Sequence, residues 1–224
     1  MTTHGSVGFT NYDMLRDMIR DDIVSGVFPP GHRLKVAELT ERYGISPMPI
    51  RDALQQLRGE GFVAIEPNRG ASVREIDRQL LSQIYEIRSA VETYFVQRLI
   101  ERVTAADIAA LRKTLRRHAA ALDRQNDGMV HDLDWELHKH IVGATKNEEA
   151  LSVLARHYKM IRPLRVRFGR SEGRRSVIPA EHEAIVDAIE ARDSALAVRL
   201  LEQHIDRSFK DLVQIVAAES KVAG

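Results

Sequence analysis

Hydrophobic positions in the first 75 residues fall into short periodic stretches with frequent punctuation. Leu15, Met18, Ile19 and Ile23 lie on one helical face and predict a helix over about 12–25. Gly26 ends it, and Phe28-Pro29-Pro30-Gly31 reads as a turn. A short helix is expected over 36–43, closed by Gly44. Ile50, Ala53, Leu54 and Leu57 repeat at core spacing and predict a third helix over 49–60, stopped by Gly61. The period then drops to two. Residues 62–66 read as a strand, Pro67-Asn68-Arg69-Gly70 as a turn, and 71–73 as the returning strand. Three helices and a small hairpin make a winged helix-turn-helix, assigned to residues 1–75.

Beyond Asp77 the strand period does not return. Amphipathic stretches run over about 79–102, 105–125, 129–144, 147–168, 177–191 and 194–218. Thr104-Ala105-Ala106-Asp107 reads as a capping box with Asp in the usual Glu position, and Asn147 as a cap. Asn126-Asp127-Gly128 reads as a turn, and residues 169–176 as a polar, Arg-rich loop. Six helices with short connections predict an all-α bundle over residues 76–224. The fold class expected is mainly α: a winged helix-turn-helix followed by an all-α helical bundle.

Composition narrows the chemistry. The 224 residues contain no cysteine, which excludes a disulfide framework and any thiolate metal site and fits a reducing compartment. No stretch reaches the roughly 18 apolar residues of a membrane helix. Residues 1–10 lack an apolar signal core, so a cytoplasmic protein without a membrane partner is expected. Net charge is +1. Residues 1–75 hold 9 basic and 10 acidic side chains, so bulk charge supplies no argument for nucleic acid. The argument rests on motif geometry.

That geometry is present between Leu34 and Val73. Gly44 permits the tight turn between two helices. Ser46 can cap the next helix, and Pro47 and Pro49 are tolerable only in its first turn. The N-terminal end of this helix is then free to enter a major groove about 12 Å wide. Ser46, Met48, Arg51 and Gln55 are its candidate DNA contacts, with Asn68 and Arg69 at the wing tip facing phosphate or the minor groove. A winged helix serving as a protein-interaction module is the alternative. The segment resembles the DNA-binding domain of GntR-type regulators. Their pattern is met by Pro49, Ile50, Arg51, Asp52, Ala53-Leu54, Leu57, Glu60-Gly61 and Asn68-Arg69-Gly70. Many members carry Arg directly after the serine, where this chain has Pro47.

The second candidate site lies among nine histidines. Asp134 and His138 are four residues apart and stack on one helical face. His182 falls near a helix start and His204 within the last helix. One carboxylate and three imidazoles suit a divalent ion: zinc, nickel or manganese. Neighbouring apolar positions (Leu137 and Ile141, Ile185 and Ile189, Leu201 and Ile205) would aim the four inward. Against this, a lone His on an amphipathic helix is more often a satisfied core or surface residue. His131 shares the face of Asp134 and His138, while His118, His140 and His157 are expected at the surface or behind the ligands.

Residues from about 80 to 204 resemble the FCD sensor domain of the FadR-like branch of GntR regulators, in its six-helix variant. The matching residues are Glu86-Ile87-Arg88 and Glu92, Asp134, Leu137 and His138, Glu181-His182, Ile185, Ala188-Ile189, Asp193 and His204. The resemblance implies that Asp134, His138, His182 and His204 carry the metal. It also implies a small organic or sugar acid as effector, with Arg88, Arg162 and Arg165 as candidate carboxylate forks. A homodimer on a palindromic double-stranded operator follows, with repression relieved by ligand as the default. Two rivals stand beside this reading. One is a metal-dependent hydrolase-like enzyme with Glu181 or Glu136 as base; the other is a purely structural metal. The sequence shows no nucleophile motif and no Gly-rich phosphate loop.

Overall fold

The computed structural model describes residues 11–66 and 69–222. The chain divides into two compact units between Ile76 and Asp77.

The first unit contains α1 (Asn11–Val24), α2 (Val36–Tyr43), α3 (Pro47–Glu60), β1 (Val63–Glu66) and β2 (Gly70–Val73). Leu15, Ile19, Ile23, Leu39, Ile50, Leu54, Leu57, Phe62 and Val73 form its core. Met18, expected on the inward face of α1, is 44% exposed. The i, i+4 seam of Leu15, Ile19 and Ile23 is enough to pack α1 on α3, and Met18 lies off that seam. Gly44 adopts φ +66° and donates its N–H to the Thr40 carbonyl, which makes the turn between α2 and α3.

Helix α3 starts at Pro47, two residues before the expected position. Ser46 occupies the N-cap position, yet its side chain makes no capping hydrogen bond. The prolines explain this correction. A capping serine usually accepts from the third helical residue, and that residue is Pro49, which has no N–H. The hairpin pairs Val63 with Val73, Ala64 with Ser72, Ile65 with Ala71 and Glu66 with Gly70. A bridge from Arg33 to Ser72 and the Leu34 N–H to the Ala71 carbonyl tie the segment before α2 to the wing.

The second unit contains α4 (Arg78–Ile100), α5 (Ala105–Asp123), α6 (Asp127–Gly143), α7 (Glu148–Phe168), α8 (Glu172–Glu190) and α9 (Ser194–Val222). Its helix starts are capped by side chains. Asp77 accepts from Leu80, Asn126 from Met129, Asn147 from Ala150 and Ser171 from Arg174, while Thr104 and Asp107 form a reciprocal capping box. Two boundaries depart from the sequence reading. Asp127-Gly128 is the first turn of α6. Residues 172–176 are the first turn of α8, because Ser171 caps it and Arg174 finds buried partners inside the bundle. Helix α9 packs along α4 and α8, and α6 packs between α5 and α7 while touching α4. Leu137, Ile141, Ile185, Ile189, Leu201 and Ile205 are buried on the faces of α6, α8 and α9 that carry the histidines. Among the described residues, no helix is long and apolar enough to cross a membrane.

Candidate metal centre and nucleic-acid interface

Four side chains from three helices converge inside the second unit. Asp134 and His138 come from one face of α6, His182 from α8 and His204 from α9. One ligand atom from each lies within 4.8 Å of all the others. The Asp134 Oδ1 is 3.6 Å from His138 Nε2, 3.4 Å from His182 Nε2 and 3.8 Å from His204 Nε2. The Nε2 atoms of His182 and His204 are 3.3 Å apart. All four residues are buried.

Carboxylates back two of the three rings. His138 Nδ1 meets Glu92 of α4, whose other oxygen accepts from Arg88 Nε at 3.0 Å. Arg88 also donates to the Tyr158 hydroxyl and lies 4.3 Å over its ring. His204 Nδ1 is 2.9 Å from Glu181 Oε2, and Glu181 accepts from Arg174 (2.5 Å) and Arg207 (2.6 Å). Arg174 Nη2 lies 3.1 Å from the same Nδ1 and 3.3 Å from the His204 carbonyl. Arginine has no lone pair to offer a protonated Nδ1, so the carbonyl is its acceptor. A carboxylate that takes the Nδ1 proton turns the Nε2 lone pair towards the cluster.

Electrostatics agree. Burial pushes the Asp134 carboxyl up, but His138 and hydrogen bonds from His182 and His204 outweigh it and hold the group well below the usual carboxylate range. Burial opposes charge on His138 as well; Glu92 and Asp134 prevail and raise it to about 9. His182 is pushed well below its ordinary value, by burial and then by His204. One proton on His138 thus balances a negative cluster, a role a divalent cation can take over. His138 Nε2 is buried without a hydrogen bond. Three imidazoles and a carboxylate with an unsatisfied nitrogen at their centre fit a small divalent ion.

The remaining candidates scatter. Arg88 lies behind the cluster, paired with Glu92 and donating to Tyr158. Arg165 is buried but committed to Asp211 (2.5 Å), the Ser208 carbonyl (2.8 Å) and the Gly169 carbonyl (3.1 Å). Arg162 is exposed and paired with Asp132 at 2.6 and 2.8 Å. Of the two carboxylates considered as general bases, Glu181 is tied to His204, Arg174 and Arg207. Glu136 pairs with Arg117 and Thr114 on the outside of the bundle. His118, expected at the surface or behind the ligands, is buried edge-on against His182 with ring centroids 4.8 Å apart. His131 is buried with Nε2 on the Tyr158 carbonyl at 3.0 Å. His140 sits 3.3 Å from Asp107, and His157 is half-buried. Sequence reasoning missed Arg170 and Arg174, both buried, because it placed them in a solvated loop.

In the first unit the buried face of α3 turns Ser46, Met48, Arg51 and Gln55 outward. Positions 48, 51 and 55 share one face, and Met48 is 72% exposed. Arg51 has no ion pair among the described residues and is available to an external partner. Arg69 is exposed and pairs weakly with Glu66 at 3.3 Å. Asn68 lies outside the described residues.

Comparison with known proteins covers both units. Residues 11–73 match the family described as bacterial regulatory proteins, gntR family, and residues 83–207 match the FCD domain. The Nta operon transcriptional regulator of Aminobacter aminovorans is 29% identical over 202 residues, covering 86% of this chain and 90% of that protein. The transcriptional repressor GlaR of Escherichia coli is 29% identical over 204 residues, covering 84% and 89%. The gluconate operon transcriptional repressor of Bacillus subtilis is 24% identical over 194 residues, covering 84% and 79%. Among solved structures, E. coli McbR/YncC superposes with a TM-score of 0.68 at 19% identity, covering 91% of this chain and 97% of that one.

Proposed function

Because the chain belongs to the GntR family of bacterial regulatory proteins, as a transcriptional regulator with an FCD domain, we propose that a small carboxylate bound beside a metal ion sets its affinity for DNA. Asp134, His138, His182 and His204 hold the ion, which is zinc, nickel or manganese by ligand type. When bound, it supplies a cation to which a carboxylate can coordinate. Glu92 and Glu181 hold the His138 and His204 rings in the tautomer that presents Nε2, and the apolar faces of α6, α8 and α9 exclude water. The observation that carries this reading is the approach of four ligand atoms to within 4.8 Å, with carboxylates behind two of the rings.

The first unit reads DNA. Arg51, Gln55 and Met48 face the major groove from the first turns of α3, with Ser46 and Arg69 on the backbone. A homodimer presents two such helices to a palindromic operator. An effector that binds two arrangements of the dimer unequally shifts operator affinity. Repression relieved by a sugar or organic acid is the direction adopted. The names of GlaR as a repressor and of the B. subtilis relative as the repressor of a gluconate operon support it.

Elemental analysis of the purified protein tests the site. About one divalent ion per chain is expected, and the double substitution His182→Ala with His204→Ala removes it. Full occupancy in the double variant would sink the ligand assignment.

A further inference from the structure

His182 differs from the other two rings of the ion site. Glu92 stands behind His138 and Glu181 behind His204, whereas no carboxylate meets the far side of His182. Its Nε2 faces the cluster, 3.4 Å from Asp134 Oδ1 and 3.3 Å from His204 Nε2. Its Nδ1 is buried without a hydrogen bond. An imidazole that offers its Nε2 lone pair to a cation carries its proton on Nδ1. That proton, shut away from water, needs an acceptor.

Three rings pack against His182: those of His118, His138 and His204. The outer nitrogens of His138 and His204 are taken by Glu92 and Glu181. The outer ring is His118. It comes from α5, is 2% exposed, and meets His182 edge to face, with centroids 4.8 Å apart and planes at 68°. Its Nε2 is also buried without a hydrogen bond. Among the described residues no carboxylate pairs with this ring, so burial keeps it neutral, and a neutral imidazole has one nitrogen lone pair. The contact is held from the bundle surface, where Arg112 of α5 grips Glu183 (2.5 Å), Asp187 (2.6 Å) and Glu190 (2.7 Å) of α8.

Two touching rings, each with one orphan nitrogen, can supply what the other lacks: a proton on one and a lone pair on the other. An apolar residue at position 118 would fill the same space and leave the His182 proton without an acceptor. We propose that His118 is a positioning residue for the ion: its Nε2 accepts the Nδ1 proton of His182, directly or across one water, and so keeps the His182 lone pair on the cluster. This rests on the ion site proposed above.

The test is the zinc affinity of the full chain, measured by competition with a chelating dye. His118→Phe, which fills the space and accepts nothing, should weaken zinc binding by about 10–100-fold, the range for a group that orients a metal ligand. His118→Gln, whose side-chain carbonyl can accept, should recover about tenfold of that loss, which a packing role would not predict. His118→Leu stands in if His118→Phe does not fold. Unchanged zinc affinity in the apolar variant overturns the role of His118 and leaves the ion site standing. An equal loss in His118→Gln also overturns it, because packing alone would then account for the effect. A wild type that takes up no zinc removes the ion site, and this role with it.

Discussion

Glu92 is not a ligand of the proposed ion, yet it fixes the proton and rotation of a ring that is. Its carboxylate takes the His138 Nδ1 side, and Arg88 clamps its other oxygen at 3.0 Å. Outer partners of this kind are typically worth about 10–100-fold in metal affinity. Glu92→Gln should weaken zinc binding by that order in competition with a chelating dye; unchanged affinity would detach Glu92 from the site. His131 carries a different prediction. Burial, and then Arg170, lower its pKa to about 3. The unfolded chain, with an ordinary His pKa near 6.5, takes up the proton first. The stability tied to neutral His131 is present above about pH 6.5 and drains away as pH falls towards 3. Between pH 7 and 5 this residue should account for about 2 kcal/mol of lost stability. His131→Leu should show a correspondingly shallower drop in its urea midpoint, and an identical drop would contradict this account. At this scale the sequence was informative where spacing is local. Asp134 and His138 share a face by their four-residue interval, whereas Arg170 carries no local signal. Nothing periodic distinguishes a buried arginine in a link from a solvated one.

The helices show the same division between local and distant causes. The second helix, Val36–Tyr43, was legible to the residue because Gly44 ends it and Leu39 anchors it. The start of α8 was not legible. Residues 172–176 are polar and read as loop, yet Ser171 accepts from Arg174 while its own N–H and hydroxyl reach Asp211 at 3.1 and 2.6 Å. Those partners lie 40 residues away in sequence, beyond any local pattern. Ser171→Ala removes a cap and a buried acceptor's partner together. It should cost about 1–2 kcal/mol in denaturant unfolding, and a cost near zero would mean that α8 starts independently of its cap. The early start of α3 has a local cause that can be read in retrospect, since Pro47 fits the first helical position and Pro49 deletes the donor that Ser46 would have capped.

In the whole molecule, residues 1–76 and 77–224 each enclose their own core, so damage to one unit should leave the other folded. Arg51→Ala should weaken operator binding by about 10–100-fold, the range of one lost base contact, with no change in melting temperature. Equal operator affinity in a shift assay would remove Arg51 from the reading surface. Chelation should lower the melting transition of the helical unit alone, by the linkage that couples ligand to folded state. The two-unit plan was legible in the change from mixed periods to unbroken helical spacing near Asp77. Convergence of α6, α8 and α9 on one point was an inference from the apolar neighbours of each histidine, and no single helix contains it.

His204 lies on α9, after the other three residues of the proposed ion site in chain order. Domains emerging from the ribosome generally fold in order, the N-terminal one first. A growing chain thus finishes its groove-reading head well before the fourth ligand has been translated. On the proposed function, the newborn regulator is a DNA reader before it is a sensor, because the cluster of Asp134, His138, His182 and His204 is complete only once α9 has been made.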